Sequence, residues 1–462
     1  MAFPSIKYAF RHAVRRNPWV AHQCAELRSR ECLDPAAHRE RQEYLLARLL
    51  RAARRAPAYA PFAANAPARY PLAYVLEHFP IVDKAALLAG GNDFFAGGRA
   101  PNRHFTSTAA TSGTTGTPLD VHRSVASILW EEAFHLQHRQ WAGWQAGERQ
   151  VVLRGDLVVP IERRKPPYWM HDSVGGQLVL STRHLDRKTA RAFAEELRNF
   201  GATMLRAYPS AAYELATFVE EAGLPVRFGA VITGSEMLYD FQRRRIESAF
   251  RTRVFDFYSM AERVAFAAEC EHGRMHVNPE YGIVEIVDGD GRPTDGEGAI
   301  VGTALHNHAM PLIRYRMTDT ARWSREPCPC GRTYPVLEDI GGRLADQLYD
   351  LDGRAVNCTV IGFAFDHLRN IRKAQVVQNA ADRWVIRIVP GPDYTADDGA
   401  HVLDKLAREV SPRVNALIDL VDHIPALPSG KYKWVVQEWR RPSAQPAPVT
   451  RWPVREAREA AC

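Results

Sequence analysis

Residues 203–257 read TMLRAYPSAAYELATFVEEAGLPVRFGAVITGSEMLYDFQRRRIESAFRTRVFDF, and this stretch decides the fold class. Thr203–Ala207 has the character of a strand, and Ala211–Glu221 the apolar spacing of a helix closed by Gly223. Gly229–Thr233 reads as a second strand, Asp240–Phe250 as a second helix and Arg253–Phe257 as a third strand. Strands and helices alternating at this spacing pair in parallel through crossover helices. The expectation is an α/β core.

Outward from this core the pattern changes on both sides. From Gly282 to Arg322 short β-rich stretches alternate with turns at Asp288–Gly291 and Asp295–Gly298. Beyond Gly341, strands at Gln375–Gln378 and Trp384–Val389 and a helix at Ala400–Val410 suit a small α+β unit, and after Trp439 a Pro- and Arg-rich loose tail follows. Upstream, residues 1–60 read as helical, with Tyr44, Leu45, Leu46, Leu49 and Leu50 at helical spacing. Pro57, Pro61, Pro67 and Pro71 then predict a loop.

Composition sets the outer bounds. A chain of 462 residues implies two or three domains. An apolar share of 46% with 24% charged residues excludes disorder as the dominant state. No apolar run reaches the length of a membrane span, so no integral membrane segment is expected. Seven Cys are too few for a disulfide framework, and no apolar signal region follows Met1; a cytoplasmic chain is the reading. Residues 1–55 hold twelve Lys/Arg against five Asp/Glu, a surplus of seven that equals the net charge of +7. The remainder is neutral, which gives no support to a nucleic-acid partner. The basic N-terminal face is either solvated or a contact for an acidic partner or membrane surface.

Thr106–Val121, TSTAATSGTTGTPLDV, carries the phosphate chemistry. Two glycines among hydroxyl residues let the backbone approach an anion closely, and Ser112, Thr114 and Thr115 add donors. A helix is expected to begin near His122–Ser124. No G-K-[ST] follows, so this is not a Walker A loop.

TSGTTGTP at Thr111–Pro118 resembles the phosphate loop of the acyl-adenylate-forming superfamily, and the chain from Leu45 to Val436 resembles its phenylacetate–CoA ligase and CapK-like branch. The pieces occur in the order of that family: VITGSEML at Val231–Leu238, FDFYSMAE at Phe255–Glu262, PLIRYRMTD at Pro311–Asp319, GGRLAD at Gly341–Asp346 and LPSGKYK at Leu427–Lys433. The resemblance implies a large N-terminal adenylate-forming domain, 1–342, with parallel sheets, helices and a β-rich subdomain. It also implies a small mobile α+β C-terminal lid, 343–440, turning near Asp346, ahead of the tail 441–462.

The same resemblance assigns roles. Thr111, Ser112, Gly113, Thr114, Thr115 and Gly116 would wrap the β,γ-phosphates of ATP, while Gly234, Ser235, Glu236 and Tyr258 would form the adenine pocket. Asp319 would accept the ribose hydroxyls, Arg343 would contact ribose or phosphate, and Glu262 would hold Mg²⁺. Lys431 would be the catalytic lysine bridging carboxylate and α-phosphate. Thr117 and Leu119 replace a lysine common near the loop, Thr318 and Ser259 replace glycines, and LYDLDGRAVN at 348–357 is closer to CapK-like relatives than to true phenylacetate–CoA ligases.

Cys270, His272, His276, Cys328 and Cys330 fall in two short stretches. Cys270 and His276 with Cys328 and Cys330 make a C-x5-H plus C-x-C set, which suits a structural tetrahedral Zn²⁺; reduced surface thiols are the alternative. The sequence thus points to an AMP-forming ligase that activates an aryl carboxylic acid with ATP. Its acceptor would be a thiol (CoA or the phosphopantetheine of a carrier protein) or an amine. The alternatives are an AMP transferase like the F390 synthetases and a nucleotide-binding scaffold without turnover.

Overall fold

The computed structural model describes residues 17–101, 106–110, 119–154, 158–160, 162–341, 348–351, 355–356, 364–365, 370–410, 414–427 and 432–439. Its strands in chain order begin with a hairpin, β1 (Thr106–Ala110) and β2 (Asp120–Ser124). Then come β3 (Gln150–Arg154), β4 (Trp169–Asp172), β5 (Gln177–Ser181), β6 (Met204–Ala207), β7 (Ala230–Gly234) and β8 (Arg253–Ser259). The β-rich part holds β9 (Phe266–Glu269), β10 (Met275–Val277), β11 (Gly282–Val287), β12 (Gly298–Ala304), β13 (Tyr315–Trp323) and β14 (Val336–Glu338). The last group is β15 (Leu348–Tyr349), β16 (Ala355–Val356), β17 (Ile371–Ala380), β18 (Arg383–Pro390), β19 (Ala416–Leu420) and β20 (Val435–Gln437).

The α/β expectation is met. Strands β6, β7 and β8 are parallel neighbours, with Met204 opposite Ala230 and Ala230 opposite Arg253. The helices Pro209–Glu221 and Asp240–Phe250 make the crossovers. Pro209 occupies the first helical turn, where its missing N–H costs nothing. Alternation along each strand then sorts the side chains onto two faces. Leu205, Val231 and Val254 pack with Ala212, Leu215 and Phe250 of the crossover helices. Met204, Ile232, Phe255 and Phe257 pack with Ala133 and Phe134 of the helix Val125–Trp141. The crossover triplet lies inside a 12-stranded sheet of order β11-β12-β13-β14-β10-β9-β8-β7-β6-β3-β5-β4. A separate 4-stranded sheet, β19-β18-β17-β20, carries the helix Ala396–Lys405 and is the small α+β unit.

Three local expectations are corrected. His122–Ser124 belongs to β2, and the helix begins at Val125, because Ser124 is an extended cap whose hydroxyl accepts the N–H of Ser127 at 3.2 Å. The proline-rich stretch contains short helices, Ala60–Ala63 and Leu72–His78; Pro61 falls in a first turn and Pro71 just before one, positions a helix tolerates. The C-terminal helix starts earlier than Ala400, at Ala396, since Asp398 reaches back to accept the N–H of Thr395 at 2.8 Å.

Arg314 shows how the N-terminal helices are held to the β-rich part. Its Nη1 donates to the carbonyls of Leu76 and Phe79, each at 2.9 Å, which closes the end of the Leu72–His78 helix. Nε and Nη2 form a two-pronged pair with Glu285 at 3.1 and 2.9 Å, almost out of solvent. Arg314→Met would strand a buried carboxylate, and a loss of about 3–5 kcal/mol is expected in urea unfolding. The double variant Arg314→Met/Glu285→Leu should recover part of it.

Candidate functional site

The C-terminal ends of β7 and β8 form the centre of the site, as open α/β sheets favour. Gly234 ends β7, and a Cβ there would overlap the Phe257 ring on the neighbouring strand. Ser235 follows with φ +71, a sharp turn that takes the chain off the sheet. On β8 the Tyr258 hydroxyl donates to Asp319 Oδ2 at 2.7 Å. Asp319 lies on β13, four places from β8 in the sheet order, so the sheet curls until these two strands face each other. The aromatic ring assigned to the purine and the carboxylate assigned to ribose are thereby fixed as one unit.

Glu262 follows just past β8, where its Oε1 accepts the Tyr315 hydroxyl at 3.0 Å. The residues on either side of it are gripped. Arg123, on β2, donates two bonds to the Ala261 carbonyl. Arg263, at φ +58, donates to Ser127 Oγ at 3.1 Å and lies 3.4 Å from Glu131. Tyr281 also donates to Glu131, at 2.6 Å. Burial would raise the Glu131 carboxyl, but the Arg263 guanidinium and His135 hold it well below the usual carboxylate range. Burial, followed by the charge of Arg263, pulls Arg123 down to about 10, so it remains a cation at neutral pH. Arg123, Glu131, Arg263 and Tyr315 were not singled out in the sequence. Arg263 and Tyr315 sit inside or beside the motifs, whereas Arg123 carries no local signal.

Glu236 meets the C-terminal unit. Its Oε1 accepts the N–H of Tyr432 at 2.8 Å and its Oε2 the N–H of Ser210 at 3.2 Å. Nearby, Lys373 pairs with Glu214 at 2.6 Å, and the rings of Tyr239, Phe241, Phe365 and Trp434 form one cluster. Thr111, Ser112, Gly113, Thr114, Thr115, Gly116, Arg343 and Lys431 lie outside the described residues.

The cysteine and histidine set converges at the edge of β9 and β10. Cys270, His276, Cys328 and Cys330 bring their ligand atoms within 4.8 Å of one another. Cys270 Sγ is 3.6 Å from Cys328 Sγ, and Cys330 Sγ is 3.3 Å from His276 Nε2. These are close to the edge, about 3.7 Å, of a tetrahedron with Zn–S bonds of about 2.3 Å. His276 Nδ1 faces the Tyr334 carbonyl at 3.1 Å, which directs the Nε2 lone pair into the cluster. The N–H groups of His272 and Arg332 donate to Cys270 and Cys330, each at 3.4 Å, and would spread the charge of thiolates. Burial pushes the Cys328 thiol up to about 12, with the neighbouring thiols adding to it.

Residues 348–438 match the CapK C-terminal domain family. The chain is similar to protein CapK of Staphylococcus aureus, 24% identical over 334 residues, covering 71% of this chain and 73% of the relative. It is also similar to a phenylacetate–coenzyme A ligase of Thermus thermophilus, 26% identical over 162 residues, 33% of this chain and 36% of that one. These likenesses agree with the resemblance to the phenylacetate–CoA ligase and CapK-like branch of the adenylate-forming proteins. A crystal structure of 2-hydroxyisobutyryl-CoA ligase in the postadenylation state, in complex with R3-HIB-AMP, shares the fold with a TM-score of 0.68. That likeness has 20% identity and covers 89% of this chain and 91% of the other.

Within the FDFYSMAE motif, Asp256 lies on the face of β8 away from Phe257. Its Oδ1 accepts the Thr233 hydroxyl at 2.6 Å, and Glu269, paired with Arg243, accepts its N–H at 2.7 Å. Burial pushes the Asp256 carboxyl up to about 7; the Glu269 carboxylate adds to this and the Thr233 bond opposes it. In the window from about 4 to about 7 the unfolded chain releases this proton before the folded one, so stability falls as pH rises. Asp256→Asn should remove that part of the fall, seen as a flatter urea midpoint between pH 4 and pH 7.

Proposed function

We propose that this protein is an AMP-forming carboxylate ligase. The carboxylate of an acid, aryl or arylacetic in the reading favoured by the ligase relatives, attacks the α-phosphorus of Mg·ATP. A carboxylate–phosphorus bond forms, the bond to the β,γ-phosphates breaks and pyrophosphate leaves. A thiol of CoA or of a carrier's phosphopantetheine, or an amine, then attacks the acyl carbon, and AMP leaves.

The observation that carries this reading is the bond between Glu236 and the Tyr432 N–H. It holds Tyr432, next in sequence to Lys431, against Glu236 just past the end of β7, which supports this reading. On this reading Lys431 supplies a point charge to the carboxylate and α-phosphate as negative charge builds. Thr111–Gly116 wrap the outer phosphates, and Asp319, oriented by Tyr258, receives the ribose hydroxyls. Arg343 adds a contact to ribose or phosphate. Glu262 is a hard oxygen donor held by Tyr315, which fits Mg²⁺; the ion, when bound, would neutralise phosphate charge. The C-terminal unit, 343–440, acts as a lid that turns near Asp346 between the half-reactions and keeps water from the adenylate.

Carboxylate-dependent ATP–pyrophosphate exchange tests this. Exchange with one acid class is expected, falling on the order of 10²–10³-fold in Lys431→Ala. ATP binding without exchange across aryl, arylacetic, amino and fatty acids would instead favour a scaffold or an AMP transferase.

Cys270, His276, Cys328 and Cys330 hold a structural Zn²⁺ on this reading, with four filled positions and no catalytic role. The ion would join β9 and β10 to the loop before β14. Free thiols of this kind suit a reducing, cytoplasmic setting. Protein purified without added metal is expected to carry about one zinc per chain, and Cys328→Ser to lose it and melt several degrees lower. Zinc far below stoichiometry, with melting unchanged by chelation, would remove the assignment.

A further inference from the structure

Strands β3, β6 and β8 send charged and aromatic side chains toward the helix Val125–Trp141, and the ligase reading has not used them. Tyr258 and Phe257 are consecutive on β8, so the ring that bonds Asp319 and the ring that faces this helix stand on opposite faces. Arg206 on β6 alternates with Leu205, and Arg154 at the end of β3 with Leu153; both leucines pack with the crossover helices. The two arginines therefore share the Phe257 face, with Val152 opposite Arg206 in the pairing. Solvent reaches Val152, Arg154, Arg206 and His135, so this face is an open crevice.

The crevice runs inward from the site. Glu131, His135 and His138 follow one another on one side of the helix, over a span of about 10 Å. Glu131 is the carboxylate that holds Arg263 beside Glu262. His135 lies 3.5 Å from Glu131 and meets the Phe257 ring edge-on at 4.9 Å, and His138 meets the same ring at 6.0 Å. The Phe257 ring leans over Gly234, and the Arg154 guanidinium lies 5.9 Å from it and 5.9 Å from the Tyr208 ring, so it reaches from β3 across β6. His138 is 1% exposed, and among the described residues neither of its ring nitrogens has a hydrogen-bond partner. Burial pushes it down to about 3; His135, Arg139 and Arg206 add to this and the Glu269 backbone opposes it. Burial also lowers His135, against the pull of Glu131. The charge of Arg206 acts on both rings, which puts its guanidinium close to them. A neutral imidazole without a partner in so dry a place calls for a polar ligand.

We propose that the acid activated here is a dicarboxylic acid, with its second carboxylate bound in this crevice by Arg206 and His138. This rests on the ligase reading and narrows it, since an aryl acid that fits would carry a further carboxylate on its ring or side chain. The reacting carboxylate stands at the strand ends beside Glu262, and the second lies inward, between the helix and β6. A guanidinium carries several N–H donors in a fork, so Arg206 can hold a carboxylate through two bonds and keep another contact. His138 adds one N–H, and Arg154 adds a second positive charge on the same face. A monocarboxylic acid of equal length would leave these donors without an acceptor, which is costlier than a missing methylene.

ATP–pyrophosphate exchange with matched acids tests this: succinate against butyrate, glutarate against valerate, isophthalate against benzoate and homophthalate against phenylacetate. In the pair that fits, the diacid is expected to lead by about 10²-fold in kcat/KM. Arg206→Met should bring that ratio close to one, and Arg206→Lys should keep part of it. Calorimetric titration of the same acids, with and without a non-hydrolysable ATP analogue, reads the crevice without turnover. Diacid binding that is lost in Arg206→Met, with no exchange by any acid, would uphold the crevice and overturn the ligase reading. Exchange with monocarboxylic acids as fast as with their diacids would overturn the proposal and leave the ligase reading standing. Absence of diacid binding in calorimetry together with absence of diacid exchange would also overturn it. So would a loss of ATP affinity in Arg206→Met, without acid, as large as its loss of diacid affinity, since the arginine would then serve the phosphates.

Discussion

Two arginines on either side of one carboxylate hold the centre of this molecule together. Arg123 and Arg263 act on the residues flanking Glu262, and neither charge can be left unpaired in so dry a place. Arg263 meets this demand with Glu131, which also receives Tyr281, and Arg123 with the Ala261 carbonyl. Residues 261–263 are therefore determined from both sides, which is what allows Arg263 to sit at a positive φ. The same contacts join three elements that share no strand pairing: the β1–β2 hairpin, the end of β8 and the helix capped by Ser124.

The C-terminal unit is attached by different means. Among the described residues, an aromatic cluster from both sides, the Lys373–Glu214 pair, the Tyr213 hydroxyl donating to the Ile371 carbonyl and the Glu236 carboxylate accepting a backbone N–H contribute to the contact. Glu236 is notable because it touches main chain. A contact to an N–H group fixes the course of residue 432 whatever its side chain.

The cysteine and histidine set is distinct from both. Its four members come from the residue just past β9, from β10 and from the loop before β14, and its supporting bonds to Tyr334, His272 and Arg332 are mostly main chain. That support is of the kind that orients ligands for a metal.

The parallel core, the small C-terminal unit and the pairing of Cys270 and His276 with Cys328 and Cys330 were all readable in the amino-acid order. Periodicity is a local property, and 203–257 carries it cleanly. The helix expected to begin near His122–Ser124 begins at Val125, because Ser124 is its cap and Asp120–Ser124 pairs as a strand. Only the folded chain decided that Tyr258 bonds Asp319 across 61 residues, that Arg123 grips Ala261 across 138 and that Glu236 accepts Tyr432 across 196. Those contacts depend on how far the large sheet curls and on where the C-terminal unit docks. Both are set by the summed packing of many side chains, and no local spacing encodes them.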